Sequence, residues 1–333
     1  MAKYVALFGA GLLLLVVAAA AAAVWYALAL PGRSFSGPMP PPTPAEQTLA
    51  ARLKRHVVAI ASTPHNVAHY PELEQAAAYI EAELTALGYE PHAQVFNAAG
   101  RQVRNIEVVI SPPDAGPDTE SIVVGAHYDS AGIAPGANDN ATGVAAVIEL
   151  ARLLKDKAPT DKRLRLVLFV NEEPPFDRTS EMGSWRYAQA LKERDEKVAG
   201  MISLETLGKF SDEPGSQKYP PPFHLIFPSV ANFVALVALP GSRAFLHEVV
   251  DRFRGHTQIP TIGGTAPDFV DGIGWSDHWS FWKLGYPAVM ITDTALFRYP
   301  DYHQPTDTPD KVNYELLARI TLGLEQTLRD LLQ

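Results

Sequence analysis

The sequence predicts an α/β fold, a three-layer α/β/α sandwich around a mixed, largely parallel sheet, preceded by one apolar helix. Three observations carry that expectation. Short runs rich in branched and aromatic residues alternate along the chain with longer segments whose apolar residues recur every three or four positions, the pattern of a sheet clothed by helices. The runs around Ile122, Leu166 and Ile202 are nearly continuous in apolar residues, as suits strands covered on both faces. The chain has 333 residues, 47% of them hydrophobic and 20% charged, enough for one large domain or two smaller ones.

Residues 5–30 hold no charged side chain and exceed the roughly 20 residues that span a bilayer core. Trp25 and Tyr26 near the far end suit a membrane interface. The competing reading is a cleaved signal peptide, whose apolar core runs only about 7 to 15 residues. Length favours an uncleaved transmembrane anchor over residues 1–30. Lys3 and Arg33 flank it almost evenly; the expectation is an amino terminus inside and the remainder on the extracytoplasmic side, a single-pass membrane protein.

Residues 31–46 are rich in Pro and small residues and read as a stalk or linker. Residues 47–333 then form the main domain. Segments 45–61 and 72–87 carry helical spacing, the second ending on Gly88. Strands are expected at 91–96, 103–110, 121–126, 164–170, 201–204 and 288–291, and helices at 142–155, 180–193, 242–254 and 314–332. The interval 209–240, crowded with Pro and aromatics, reads as an excursion over the site and outside the sheet. No internal repeat is seen.

A formal net charge of −9 without a basic run argues against nucleic acid as partner. The chain has no cysteine, which excludes disulfides and thiolate ligands, so a metal must be held by His and carboxylates.

The residues that carry chemistry lie at the carboxyl ends of the expected strands, where open α/β sheets place their ligands. His127 and Asp129 are two apart in extended chain and point the same way, so the carboxylate can fix the imidazole tautomer as it does for metal-bound histidines. The plainer reading is a strand-end His beside a solvated Asp. Asp139 precedes a helix, as a ligand or as a turn residue. Glu172 and Glu173 follow an apolar strand directly, and two adjacent carboxylates there repel unless a cation or proton intervenes. Extended chain points them apart, one toward a metal and one toward a water. Glu205 ends the next apolar strand, and His303 sits in a polar loop near the chain end. Ser276, Asp277 and His278 precede Trp279, Phe281 and Trp282 at helical spacing and read as a supporting element, with Asp277 behind the ligands. His127, Asp139, Glu173, Glu205 and His303 together offer two imidazoles and three carboxylates, the donors that two divalent cations about 3.5 to 4 Å apart require.

The ordered motifs GAHYDS, GANDNATG, FVNEEPPF, EMGSWRYA, SLETLG, SDHWSFW and YHQPTDTPDK resemble those of the zinc-dependent exopeptidase family, which includes bacterial leucine-type aminopeptidases, glutamate carboxypeptidases and glutaminyl cyclases. The resemblance covers roughly residues 47–330. It implies that His127 and Glu205 bind one zinc ion, Glu173 and His303 a second, and that Asp139 bridges them, with manganese or cobalt also suited to these donors. It further implies Glu172 as general base, Asp129 as the carboxylate orienting the first His, and Tyr302 as a group holding the oxyanion. Two departures stand out: Glu205 occupies a place where many members have Asp, and Asn140 one where some have a second Asp.

The expected function is therefore a membrane-anchored di-zinc exopeptidase acting on peptides, an aminopeptidase in which a hydroxide shared by the two metals attacks the peptide carbonyl. The alternatives are a glutaminyl-cyclase-like transferase with a single zinc, and a tethered binding protein that keeps the fold without catalysis.

Overall fold

The computed structural model describes residues 2–157 and 159–333. Met1, the first residue of the expected anchor, lies outside the described residues, as do the side chains of residues 2, 3 and 5–10, Lys3 among them. The chain opens with α1 (Ala2–Leu28), α2 (Pro44–Ile60) and α3 (Tyr70–Ala86), and then enters the sheet through β1 (His92–Ala98), β2 (Arg101–Ile110) and β3 (Ser121–His127). There follow α4 (Thr142–Leu154), β4 (Arg163–Phe169), α5 (Gly183–Glu193), β5 (Val198–Glu205), β6 (Val234–Ala238), α6 (Arg243–His256) and β7 (Thr261–Thr265). The chain closes with α7 (His278–Lys283), β8 (Ala288–Thr292), α8 (Ala295–Arg298) and α9 (Tyr314–Leu331).

The strands form one mixed sheet in the order β1-β2-β4-β3-β5-β8-β6-β7. Its centre is parallel: β3 pairs in parallel with β4 and β5, and β5 with β8. Alternation along the central strands separates two apolar layers. Ile122, Val124, Leu166, Leu168, Ile202 and Leu204 pack toward α2, α3, α4, α6 and α9. Val123, Val167, Phe169 and Met201 face the other way, onto Tyr187 and Leu191 of α5 and Phe281 of α7. The expected sandwich with helices on both faces of a mixed sheet is therefore observed.

Two strands depart from expectation. Residues 234–238, placed in an excursion outside the sheet, are β6, antiparallel to β8, and β7 beside it was not foreseen. β7 reads Thr-Ile-Gly-Gly-Thr, and a run with two glycines carries no alternation to read. Gly264 has a packing reason, since a Cβ there would stand 2.6 Å from the carbonyl oxygen of Ala27. The last turn of α1 can approach the sheet edge only where no side chain intervenes.

α1 is the one helix among the described residues that is long and apolar enough to cross a membrane; its Gly11–Leu28 portion has mean hydropathy 2.3 and is unburied. Its end is tied to the domain. Arg243 Nε donates to the Tyr26 carbonyl at 3.0 Å, and its guanidinium lies 3.9 Å from the centre of the Tyr26 ring. The Pro-rich segment that follows lies along the domain: Arg254 donates to the Pro31 carbonyl at 2.6 Å, and Arg319 to that of Pro40 at 2.9 Å. α2 begins inside this segment because Thr43 and Glu46 form a capping box with Pro44 at the first helical position. The Glu46 carboxylate also receives Arg319 Nε at 2.6 Å in a buried ion pair that fastens α2 to α9.

Candidate active site

The three central strands end side by side, and each ends on chemistry. His127 is the last residue of β3 and Glu205 the last of β5. After β4 the backbone turns at Asn171, whose φ of 60° is left-handed, a conformation Asn tolerates, and this sends Glu172 and Glu173 into the cleft. Asp139 comes from the loop between β3 and α4, and His303 from the loop after α8. All but His303, which is half-buried, are buried.

The five predicted donors converge. Asp139 stands between the imidazoles, Oδ1 at 3.3 Å from His127 Nε2 and Oδ2 at 3.0 Å from His303 Nε2. Glu205 Oε2 lies 3.3 Å from His127 Nε2, and Glu173 Oε1 lies 3.3 Å from His303 Nε2. Three candidate metal-binding triads result: His127–Asp139–Glu205 and Asp139–Glu173–His303, which share Asp139, and His127–Glu172–Glu173. Glu172 approaches His127 Nε2 at 3.9 Å and adjoins the first triad. His303 has a φ of 58°, a left-handed value uncommon outside glycine, and such strain is retained where surrounding structure enforces it.

The supporting contacts differ from expectation in two places. The Asp129 carboxylate does not take the His127 proton: His127 Nδ1 lies 3.0 Å from the Asp129 backbone carbonyl and 3.8 Å from Oδ1. The strand ends at His127, so the extended-chain geometry that would align the two side chains stops there. The carboxylate instead accepts from the backbone N–H of Glu172 at 3.0 Å and of Glu173 at 3.2 Å. Asp277 was placed behind the ligands, but it is Ser276 that reaches one, donating to Glu205 Oε2 at 2.8 Å. Asp277 is buried with neither carboxylate oxygen hydrogen-bonded, and burial pushes its carboxyl up to about 7.

The supporting roles of Asp307 and of Asn140, named above only as a departure from the family pattern, were not foreseen. Asp307 accepts from the N–H of Asn138 at 2.9 Å and of Asp139 at 3.1 Å, and from Tyr299 Oη at 2.8 Å, locking the bridging residue to the His303 loop. Asn140 Oδ1 accepts from the N–H of Thr206 at 3.1 Å, and its Nδ2 donates to the Leu204 carbonyl at 2.8 Å, fixing both sides of Glu205. Both residues sit inside motifs already singled out, and an acidic or amide side chain beside a ligand was the available signal. Tyr302 stacks on His303 with ring centres 3.9 Å apart and lines the cleft.

Electrostatics show what the cluster lacks. Burial alone would push His127 down, but Glu205, Glu172 and Asp139 outweigh it and hold the imidazole well above its ordinary value. Burial also opposes His303, which Asp139 and Glu173 raise to about 10. Burial would raise Asp139, yet the two imidazoles beside it carry it below its usual range. Burial lifts Glu172 well above the carboxylate range; His127 opposes the rise, and Glu173, Glu205 and Asp277 add to it. Glu173 is pushed up to about 8 by burial and by Asp139. Buried carboxylates this close repel unless cations or protons intervene. His127 Nε2, Asp139 Oδ2, Glu173 Oε1 and His303 Nε2 are buried without a hydrogen-bond partner, all aimed at the shared centre. Such orphans are costly. Two cations bound by imidazole and carboxylate satisfy every one of them.

An open cleft of about 820 Å³ exposes Asp139, Glu172, Glu173, Glu205, Tyr302 and His303. Paired donor triads with a spare glutamate at the mouth of such a cleft define a metal-dependent hydrolase. Residues 105–328 match the model of Peptidase family M28. The chain is 37% identical over 270 residues to the uncharacterized protein YfbL of Escherichia coli K12, covering 78% of this chain and 81% of that one. A solved aminopeptidase from Aneurinibacillus sp. strain AM-1 superposes with a TM-score of 0.67 at 18% identity, over 85% of this chain and 94% of that one. The glutaminyl cyclase of Fimbriiglobus ruber superposes with a TM-score of 0.63 at 18% identity, over 92% and 100%. The chain belongs to peptidase family M28 and is a zinc-dependent peptidase.

Proposed function

We propose that this chain is a membrane-anchored di-zinc aminopeptidase. The observation that carries the two-metal reading is the placing of Asp139, one oxygen toward each imidazole at 3.3 and 3.0 Å. His127 and Glu205 would hold one zinc and Glu173 and His303 the other, with Asp139 shared between them. Zinc supplies Lewis acidity that polarises a carbonyl and acidifies water. Glu172 takes the proton of the attacking water and returns it to the departing amine; a carboxyl held above the usual range by burial suits that exchange. Tyr302, on the cleft wall, donates to the carbonyl oxygen as negative charge develops.

The amino-terminal direction of attack is supported by the acidic lining of the cleft, where Asp177, a carboxylate assigned neither to zinc nor to the base, is suited to a free α-ammonium. A neighbouring pocket of about 480 Å³, lined by Val237, Ile273, Met290, Leu296 and Phe297 beside Glu205, takes the first side chain. Residues 1–30 serve as anchor, the segment up to Thr43 connects it along the domain surface, and the catalytic domain, which starts with α2 at Pro44, lies on the extracytoplasmic side.

Glu172→Gln should abolish hydrolysis of aminoacyl-anilides while zinc content stays near two per chain. Undiminished hydrolysis in that variant removes Glu172 from the base role. One zinc per chain with cyclisation of amino-terminal glutamine would replace the aminopeptidase reading by a transferase.

A further inference from the structure

Beside the last turn of α1 the domain exposes a second apolar surface. Leu225 is 77% exposed, Ile226 51% and Phe269 84%. The loop that carries the first two reads Tyr-Pro-Pro-Pro-Phe-His-Leu-Ile-Phe-Pro from Tyr219 to Pro228, and no Asp, Glu, Lys or Arg occurs between Lys218 and Arg243. The loop has its own aromatic base: the ring centres of Tyr219 and Phe227 lie 5.6 Å apart, and those of Phe223 and Phe227 6.1 Å. Leu225 and Ile226 are thereby held outward.

This base lines a cavity of about 530 Å³ together with Leu28, the final residue of α1, and with Val270, the neighbour of Phe269. The loop, the Phe269 segment and the end of the apolar helix therefore meet at one place. Single exposed apolar residues are ordinary, but a cluster that continues the surface of a bilayer-length helix is a patch with a direction.

We propose that this face is a membrane-docking surface, with Leu225, Ile226 and Phe269 entering the interfacial layer of the bilayer that α1 crosses. The proposal rests on the anchor reading of α1. Lipid is the occupant because the patch is continuous with that helix, whose end is fastened to the domain through Gly264 and Arg243. Exposed Trp25 and Tyr26 mark the interfacial level, and the Arg243 guanidinium on the Tyr26 ring belongs at headgroup depth. The cavity behind the patch shares Val237, Asp271, Ile273 and Phe297 with the pocket beside Glu205. Docking thus holds the side-chain pocket close to the lipid surface and favours peptides presented there.

The absence of cysteine makes the test direct. The full chain, carrying Leu225→Cys or Phe269→Cys labelled with a polarity-sensitive fluorophore, is placed in phosphatidylcholine–phosphatidylglycerol nanodiscs. Val95→Cys, exposed on β1 at the opposite edge of the sheet, is the reference. The labels at 225 and 269 should emit to the blue and be quenched severalfold more strongly by doxyl lipids than the label at 95. Equal, water-like emission at all three sites in a chain that stays in the disc overturns the docking surface alone. A chain that does not enter the disc overturns the anchor reading, and the docking surface with it.

Discussion

Asp129→Asn separates two roles that a carboxylate beside a metal-site histidine can have. In the structure the Asp129 carboxylate holds the N–H groups of Glu172 and Glu173 at 3.0 and 3.2 Å, whereas the His127 imidazole is held by the backbone carbonyl. Asparagine keeps the shape but has one acceptor oxygen, so one N–H faces an NH₂ group and the other loses a charged partner. Hydrogen bonds to charged groups contribute about 1.5–3 kcal/mol each, and the variant should lose stability of that order in urea titration. The larger effect is on position. A displacement of about 1 Å in a catalytic group can cost on the order of 10²-fold in rate, and loss of a supporting contact roughly 10–100-fold in metal affinity. Those losses should fall on Glu172 and Glu173. Zinc titrations in single-site backgrounds locate them: with His127→Ala, adding Asp129→Asn should weaken the remaining site about tenfold. With His303→Ala it should change that site little. A weakened site in the His303→Ala background would refute the assignment and restore the carboxylate to His127, and a kcat on a leucyl-anilide within twofold of the parent would remove Asp129 from either positioning role.

Two further outcomes follow from buried groups away from the metal donors. His278 is buried with Nε2 2.7 Å from the Ile273 carbonyl, and burial lowers it to about 4. Its folded value lies below the unfolded one near 6.5, so the unfolded chain binds the proton first as pH falls. Its share of stability is complete above about pH 6.5 and drains away toward pH 4, about 3 kcal/mol in all. Denaturant midpoints across that range, taken in chelator, should fall more steeply for the parent than for His278→Asn, and parallel curves would sink the argument. Arg319→Met leaves the Glu46 carboxylate buried with Thr43 and without the guanidinium 2.6 Å away. The expected cost is about 3–5 kcal/mol, and the double variant Glu46→Gln/Arg319→Met should recover much of it; equal loss in both would show that the pair is not the source.

Most of the sheet was legible because its central strands alternate between two apolar layers and their runs are long enough to read. β6 and β7 were not. Val234–Ala238 is apolar but short and lies inside a stretch dominated by Pro and aromatics, while the two glycines of β7 serve the approach of α1, a contact between ends of the chain that no local window contains. The helix expected at 45–61 is α2, starting one residue earlier, and only the linker, drawn through residue 46 on the strength of its prolines, ran past that start. At the site, His127, Glu173 and Glu205 could be read because they lie at or just beyond strand ends, whereas Asp139 and His303 come from loops and were brought in by the family resemblance. Their supports could not be read. Asp307 holds Asp139 across 168 residues, and Ser276 reaches Glu205 across 71, distances at which spacing says nothing. The Asp129 error has the same root, since side-chain direction is dependable within a strand and is lost one residue beyond its end.

These supports also divide the molecule. The donors hang on β3, β4 and β5 and are held by Asp129, Asn140 and Ser276, with Asp307 joining the one distant loop that supplies His303. The side pocket draws its apolar lining, Val237, Ile273, Met290, Leu296 and Phe297, from chain that follows β5, and meets the donors at Glu205 and Tyr302. That later chain also forms the edge where α1 is fastened. Substitutions at Val237, Met290, Leu296 or Phe297 touch none of the residues that hydrogen-bond Glu172, Glu173 or Glu205. The buried carboxylates require cations whatever the substrate, so the half built on β3–β5 is constrained by charge. The later chain is tied to that centre through Ser276, His303 and Asp307, so selectivity should change most freely at pocket residues away from those three.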